Sequence, residues 1–220
     1  MKIRLPALWA LSSIFTLSAC SAPTTDGTVI QLDVATLNCA PAETPATCIS
    51  RILGEAQPAD RLYLATRENT TFAFLFWHKG NDSLDAEKRL DSAAVVARYR
   101  VPAKTGGPAW DTSTAGTAVV SVVNVPSPWY APGFVVAGRM RDAVPEYAVI
   151  DGLDFKYFTM SKTGTLGGVY LWQNRRAADT FYDEAWHQRI KESYGKPADL
   201  QFFNATSLQL EEHRGTASDD

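Results

Sequence analysis

Residues 150–172 constrain the fold more than any other stretch. Leu153, Phe155 and Tyr157 alternate with Asp154 and Lys156, the period-2 pattern of a strand with one wetter face. Ser161-Lys162-Thr163-Gly164 supplies turn chemistry, and Leu166 to Trp172 follows as a second strand with almost no polar residue. A strand that apolar is buried on both faces, so this hairpin needs a cover on each side.

The rest of the chain offers candidates for those covers. Val29 to Val34 alternate as a first strand. Thr44-Pro45 opens a helix with Cys48, Ile49, Ile52, Leu53 and Ala56 on one side, and Gln57-Pro58 stops it. Asp60 to Arg67 and the very apolar Thr71 to Trp77 are two more strands, joined by Glu68-Asn69-Thr70. Asn81 to Leu90 reads as a short polar helix and Ala93 to Val101 as a fourth strand. The order βαββαβ is ferredoxin-like. Glycines and proline concentrated in residues 102–116 mark a linker.

In the second half, the β-branched run Thr117 to Val125 is a strand, and a helix then continues to Val144, where Pro145 ends or kinks it. After the hairpin, Asn174 caps one helix running to Tyr194, stopped by Gly195 and Pro197, and Leu200 to Ala205 is the last strand. The order is βαββαβ again. Phe74-Leu75-Phe76-Trp77 and Val169-Tyr170-Leu171-Trp172 both end a third strand on Trp, 95 positions apart. This reads as an internal duplication. The alternative is two apolar strands that happen to end in Trp.

With 220 residues and 45% hydrophobic content the chain can bury one core or two. A net charge of -3 gives no footprint for a nucleic-acid partner. The first twenty residues read as an address. Lys2 and Arg4 precede an apolar run from Leu5 to Leu17, and Leu17-Ser18-Ala19-Cys20 resembles the bacterial lipobox, in which the Cys is lipidated and becomes the new N-terminus. An ordinary secretory signal with a chance Cys is the alternative. Residues 21–27 form a stalk. The implied location is the bacterial cell envelope, at the periplasmic face of the outer membrane because Ser21 rather than Asp follows Cys20, with the lipid anchor as the only membrane contact. In that oxidising compartment Cys39 and Cys48 can form a disulfide, free buried thiols being the alternative.

Gly152-Leu153-Asp154-Phe155-Lys156-Tyr157, then Gly167-Gly168-Val169-Tyr170-Leu171-Trp172, then Ala177-Ala178 and Trp186, resemble the YdhR-type monooxygenase-like family of the dimeric α+β barrel superfamily. The resemblance covers about residues 119–205. It departs from the family pattern at Asp151, where Pro is frequent, and at Phe155 and Tyr157, where Trp is frequent. The implied fold class is α+β: two tandem ferredoxin-like repeats, residues 28–101 and 117–210, forming an intramolecular α+β barrel pseudo-dimer, with a polar tail at 211–220. The chain would then be a monomer, and otherwise a homodimer.

Relatives in that superfamily include oxygenases that need no cofactor, so the resemblance implies a shaped apolar cavity between sheet and helices, a few hydrogen-bond donors and a base. By position the catalytic candidates are Asn124 and Tyr157. Trp129, Tyr130, Tyr170, Trp172 and Trp186 are candidates to hold a small apolar or aromatic ligand. Each aromatic can equally be a core or rim residue. His187 is a poor base, since at about 100° per residue it falls opposite the apolar arc of Ala178, Phe181, Tyr182, Ala185 and Trp186. Haem-degrading relatives use Asn, Trp and His; Asn124 matches the first, but Phe181 stands about where the helix Trp would be, which argues against haem. No zinc-spaced Cys/His cluster, hydrolase elbow or nucleotide loop occurs, so neither a metal nor a cofactor is expected. Gly167 and Gly168 lie inside the hairpin, where they allow close approach of a neighbour. The expected activity is ligand binding with cofactor-independent oxygenation; a non-catalytic binding or scaffold lipoprotein is the competing class.

Overall fold

A computed structural model describes residues 29–40, 42–53, 61–78, 95–106, 118–127 and 131–209. The elements run β1 (Val29–Thr36), α1 (Pro45–Leu53), β2 (Arg61–Arg67), β3 (Thr70–His78), β4 (Val95–Gly106), β5 (Val119–Pro126), α2 (Gly133–Asp142), α3 (Val144–Ala148), β6 (Leu153–Ser161), β7 (Thr165–Trp172), α4 (Arg175–Phe181), α5 (Glu184–Tyr194) and β8 (Asp199–Gln209). The eight strands close into one barrel in the order β1-β3-β2-β8-β5-β7-β6-β4. Read by halves, that is β4-β1-β3-β2 beside β8-β5-β7-β6, the same antiparallel order twice. Two seams join the halves, β2 to β8 and β4 to β6.

The seams correct two strand boundaries. β4 continues to Gly106, into the stretch whose Gly and Pro read as a linker, because Ala103 to Gly106 pair with Phe158 to Phe155 across the seam. A bulge between Arg100 and Ala103 accommodates Pro102 within this strand. β8 reaches Gln209 because its last residues pair with β2. Two helices also differ from expectation. Pro145 begins the short helix α3 rather than simply ending α2. The helix expected from Asn174 to Tyr194 breaks at Tyr182, and Asp183 caps the second piece by accepting the Trp186 N–H at 2.7 Å. The helix expected over 81–90, the signal and stalk at 1–27, and the tail at 211–220 lie outside the described residues.

The apolar hairpin strand finds both its covers. Val169 and Leu171 face the barrel interior, where Phe76 meets Tyr157 at 4.2 Å between ring centroids and Phe203 meets Phe72 and Phe74 at 4.9 and 5.3 Å. These contacts cross between the halves and make the interior one core. Tyr170 and Trp172 face outward beneath α4 and α5, in a separate cluster with Val119, Val123, Tyr182 and Trp186. On the first half α1 buries Cys48 and Ile49 fully in one cluster with the strands, and a disulfide joins Cys48 to Cys39 with Cα atoms 5.4 Å apart.

Trp77 and Trp172 are also chemically equivalent. Gln31 pairs with Trp77, and two residues on, Asp33 accepts the Trp77 indole N–H at 3.1 Å. Val119 pairs with Trp172, and two residues on, Ser121 accepts the Trp172 indole N–H at 2.9 Å. The environments differ: Asp33 also binds the Arg98 guanidinium at 2.8 Å, whereas Ser121 shares a 2.8 Å hydrogen bond with Tyr182. No helix among the described residues is long and apolar enough to cross a membrane.

Candidate functional site

Strand alternation decides where the candidate side chains go, and it separates them. On β7, Tyr170 and Trp172 point outward; on β6, Tyr157 points into the barrel, where it is 2% exposed. On β5, Val119 and Val123 belong to the outer layer and Val120 and Val122 to the interior, which puts Asn124 on the inward side at the strand end. Asn124 and Tyr157 therefore lie inside the barrel wall and Tyr170 and Trp186 outside it, so the four candidates share no one cavity. Trp129, Tyr130 and Cys20 lie outside the described residues.

The outer layer, where the resemblance puts the cavity, is filled with rings. Tyr182 meets Trp186 at 4.8 Å, Trp172 meets Phe181 at 5.2 Å, and Tyr170 stacks on Trp172 at 5.9 Å. Their polar atoms are paired with one another, as in the Trp172–Ser121–Tyr182 chain. Burial pushes the Tyr170 and Tyr182 phenols up, so both stay protonated near neutrality and neither serves as a base. His187 is half-buried, with its ring edge-on to Trp186 at 5.0 Å.

Reasoning from alternation missed what covers Lys156. The Asp154/Lys156 side of β6 is not a wet face: the two residues are 1% and 3% exposed. The Lys156 Nζ lies 3.1 Å from the Tyr147 ring centroid on α3, 3.9 Å from Phe158 and 4.8 Å from Tyr170. Gly168 makes the room, since a Cβ there would stand 3.1 Å from the Lys156 Cε. Burial pushes the Lys156 amine well below the usual lysine range, and Glu146 opposes this in part. Cation–π attraction, about 2 kcal/mol or more per desolvated ring, works against this shift and favours the ammonium, while desolvation favours the neutral amine. Asp154 accepts from Gln173 Nε2 at 3.1 Å through one oxygen, and burial raises its carboxyl. Only the α2–α3 and α4–α5 packing reveals both groups; the polar letters alone suggested solvent.

A cavity of about 700 Å³ opens at the barrel mouth, outside both packed layers. Its lining comes from the start of β4 (Val95 to Tyr99), the end of β5 (Asn124 to Pro126), the β6–β7 turn and the entry to β8 (Lys196, Pro197, Asp199). The Asn124 amide is within hydrogen-bonding reach of the Tyr99 hydroxyl. Its carbonyl oxygen Oδ1 is buried and has no partner among the described residues. Such an acceptor costs roughly 1–3 kcal/mol unless something donates to it. The Tyr99 phenol is raised, first by burial and then by the charge of Asp199, with Asn124 offsetting part. Asp199 itself accepts from Gln201 Nε2 at 3.0 and 3.3 Å. Among the described residues no group of three or more His, Cys, Asp or Glu side chains gathers as a metal site would require.

No family model and no curated protein matches the chain. Solved structures do. A ferredoxin-fold protein related to antibiotic biosynthesis monooxygenases from Listeria monocytogenes superposes with a TM-score of 0.54 at 10% identity, over 83% of this chain and 96% of its own. A heme-degrading enzyme from Listeria monocytogenes gives 0.51 at 9% identity, over 79% of this chain and 98% of its own. An anthrone oxidase-like protein gives 0.52 at 11% identity, over 88% and 98%. Each match is longer than either half, so a single chain of each relative follows the whole barrel. At these identities what is shared is architecture, as the motif resemblance implied. The chain has the ferredoxin-like α+β barrel fold of proteins related to antibiotic biosynthesis monooxygenases.

Proposed function

We propose that this chain is a lipid-anchored bacterial envelope protein, built by internal duplication, that binds a small apolar or aromatic molecule at the mouth of its barrel. One observation carries the binding reading: a cavity of about 700 Å³ at the barrel mouth, with Val95, Ala97 and Pro126 and the polar Asn124 in its lining. Binding sites of roughly 300–1,000 Å³ with a few convergent polar groups are the usual size for small molecules, and barrel mouths are a usual place for them. A hydroxylated ring would leave its apolar body against Val95, Ala97 and Pro126 and donate its O–H to Asn124. Titration of the full chain with 2-naphthol should show saturable binding that Asn124→Ala weakens about tenfold, the cost of one lost hydrogen bond to a buried group. No saturation by 2-naphthol would remove the reading.

Cofactor-independent oxygenation is the second reading, and the likeness of the fold to an anthrone oxidase-like protein favours it. Added to the same titration samples, a dihydroxynaphthalene would be consumed with oxygen uptake above the uncatalysed rate, and Asn124→Ala, which weakens binding at the mouth, would reduce the excess. Uptake at the uncatalysed rate leaves binding without chemistry.

The anchor and the duplication are supported by the Leu17-Ser18-Ala19-Cys20 pattern and by the two equal strand orders with their matched Trp77 and Trp172 hydrogen bonds. One preparation tests both. Wild-type chain should fractionate with membranes and Cys20→Ala should be released as a soluble monomer by light scattering. A soluble wild type refutes the anchor, and a mass of two chains refutes the self-contained barrel.

A further inference from the structure

The mouth cavity carries charge that the Asn124 hydrogen bond leaves unused. Lys162 and Lys196 line it and are both exposed, and among the described residues neither has a carboxylate at ion-pair distance. Their backbones stand on fixed turns. The Ser161 hydroxyl holds the β6–β7 turn around Lys162, with 2.9 and 2.7 Å contacts to the Thr163 and Thr165 hydroxyls and a 3.0 Å bond from the Thr165 N–H. Lys196 is held between Gly195, whose φ is 73°, and Pro197. The one carboxylate among the described lining residues, Asp199, is engaged by the Gln201 amide. Arg98, which also lines the cavity, has its guanidinium on Asp33. On a chain of net charge -3, the described residues of the mouth therefore present two ammonium groups without a carboxylate partner among them, against one occupied carboxylate.

We infer that the ligand of this cavity is a hydroxylated aromatic or apolar carboxylate, its acid group facing Lys162 and Lys196 and its hydroxyl directed at the Asn124 side chain, whose amide turns to bring Oδ1 to the cavity. This deepens the binding reading above and rests on it. The geometry sorts the two ends of the molecule. Asn124 is half-buried in the lining, with Oδ1 just beneath the cavity surface, and the cations are exposed, where a carboxylate keeps part of its hydration. A cationic ligand would meet two like charges on entry, and a neutral one would make no use of them.

Three probes of one shape separate the contributions: 6-hydroxy-2-naphthoate, 2-naphthol and 2-naphthoate, titrated into the full chain at low and high salt. The hydroxy acid should bind about tenfold more tightly than 2-naphthol and lose that margin at high salt. In the Lys162→Gln/Lys196→Gln double variant, which alters only exposed side chains, the hydroxy acid should fall to the 2-naphthol level while 2-naphthol itself is unchanged. Equal binding of the hydroxy acid and 2-naphthol, or a hydroxy acid insensitive to the double substitution, overturns the assignment and leaves small-molecule binding standing. If none of the three probes binds, the binding reading falls, and this inference with it.

Discussion

Gly167→Ala should prevent the barrel from closing, with a loss of at least about 4 kcal/mol or no folded protein at all. An added Cβ at this position would lie 1.9 Å from the Val123 carbonyl oxygen, 2.8 Å from its carbon and 3.3 Å from the Asn124 Cα. All three are backbone atoms of β5, and no rotamer change moves them aside. Relief requires β7 to part from β5, which breaks the Val123–Gly168 and Asn124–Gly167 pairs at the centre of the second half. Gly164→Ala is the control. Gly164 has a φ of 85° with open space around its missing Cβ, so its cost is the left-handed backbone alone, about 1–2 kcal/mol. Urea unfolding followed by circular dichroism measures both. A Gly167→Ala variant within 1 kcal/mol of Gly164→Ala would contradict this packing. The same close approach sets the position of Asn124, so any partly folded variant should also lose ligand at the mouth.

Lys156→Met should stabilise the protein, by about 1–4 kcal/mol at neutral pH, the range found when buried charged groups give way to apolar ones of similar volume. A methionine fills the slot among Tyr147, Phe158 and Tyr170 without an amine to desolvate. The pH dependence gives the sharper test. In the unfolded chain Lys156 holds its proton up to its ordinary value of 10.5, whereas in the folded chain burial pushes the amine well below that value. Between the two values the unfolded state binds more protons, so wild-type stability falls as pH falls from 10.5 towards the depressed folded value. Lys156→Met should lack this slope. The buried tyrosines, raised in the fold, act in the opposite sense above about pH 10, and they do so equally in both proteins. Subtracting the two stability profiles at about pH 6 to 9 isolates the lysine. Parallel profiles would mean that the three rings hold a charged ammonium.

Much of the barrel is legible in the chain because strand patterning is a local property. The βαββαβ order of the second half, the four strands of the first, the Trp-ended third strands and the Asn174 and Gly195 helix boundaries follow from neighbours in sequence. What failed to show lies where distant segments meet. The extension of β4 into a Gly- and Pro-rich stretch depends on β6, which begins about fifty residues later, and nothing near Lys104 announces that pairing. The break at Tyr182 sits inside a helical pattern, and Asp183 becomes a cap only because Tyr182 turns in to reach Ser121.

The candidate site divides along the same line. Alternation told which residues share a side of a strand, so it placed Tyr157 opposite Lys156, and Tyr170 with Trp172. It could not say what lies over each side. Asp154 and Lys156 read as solvated, and their burial comes entirely from the layer that α2, α3 and α4 place over β6 and β7. The sequence by itself determined the strand order within each half, the apolar core and the candidates Asn124 and Tyr157. The tertiary structure decided which of them share a space. Barrel closure turned Tyr157 into packing, filled the outer layer with Tyr170, Trp172 and Trp186, and left the cavity at the mouth, where Asn124 meets Tyr99 from the other half. Side-chain direction is set by the local backbone, whereas burial is set by whatever the rest of the chain brings to that face.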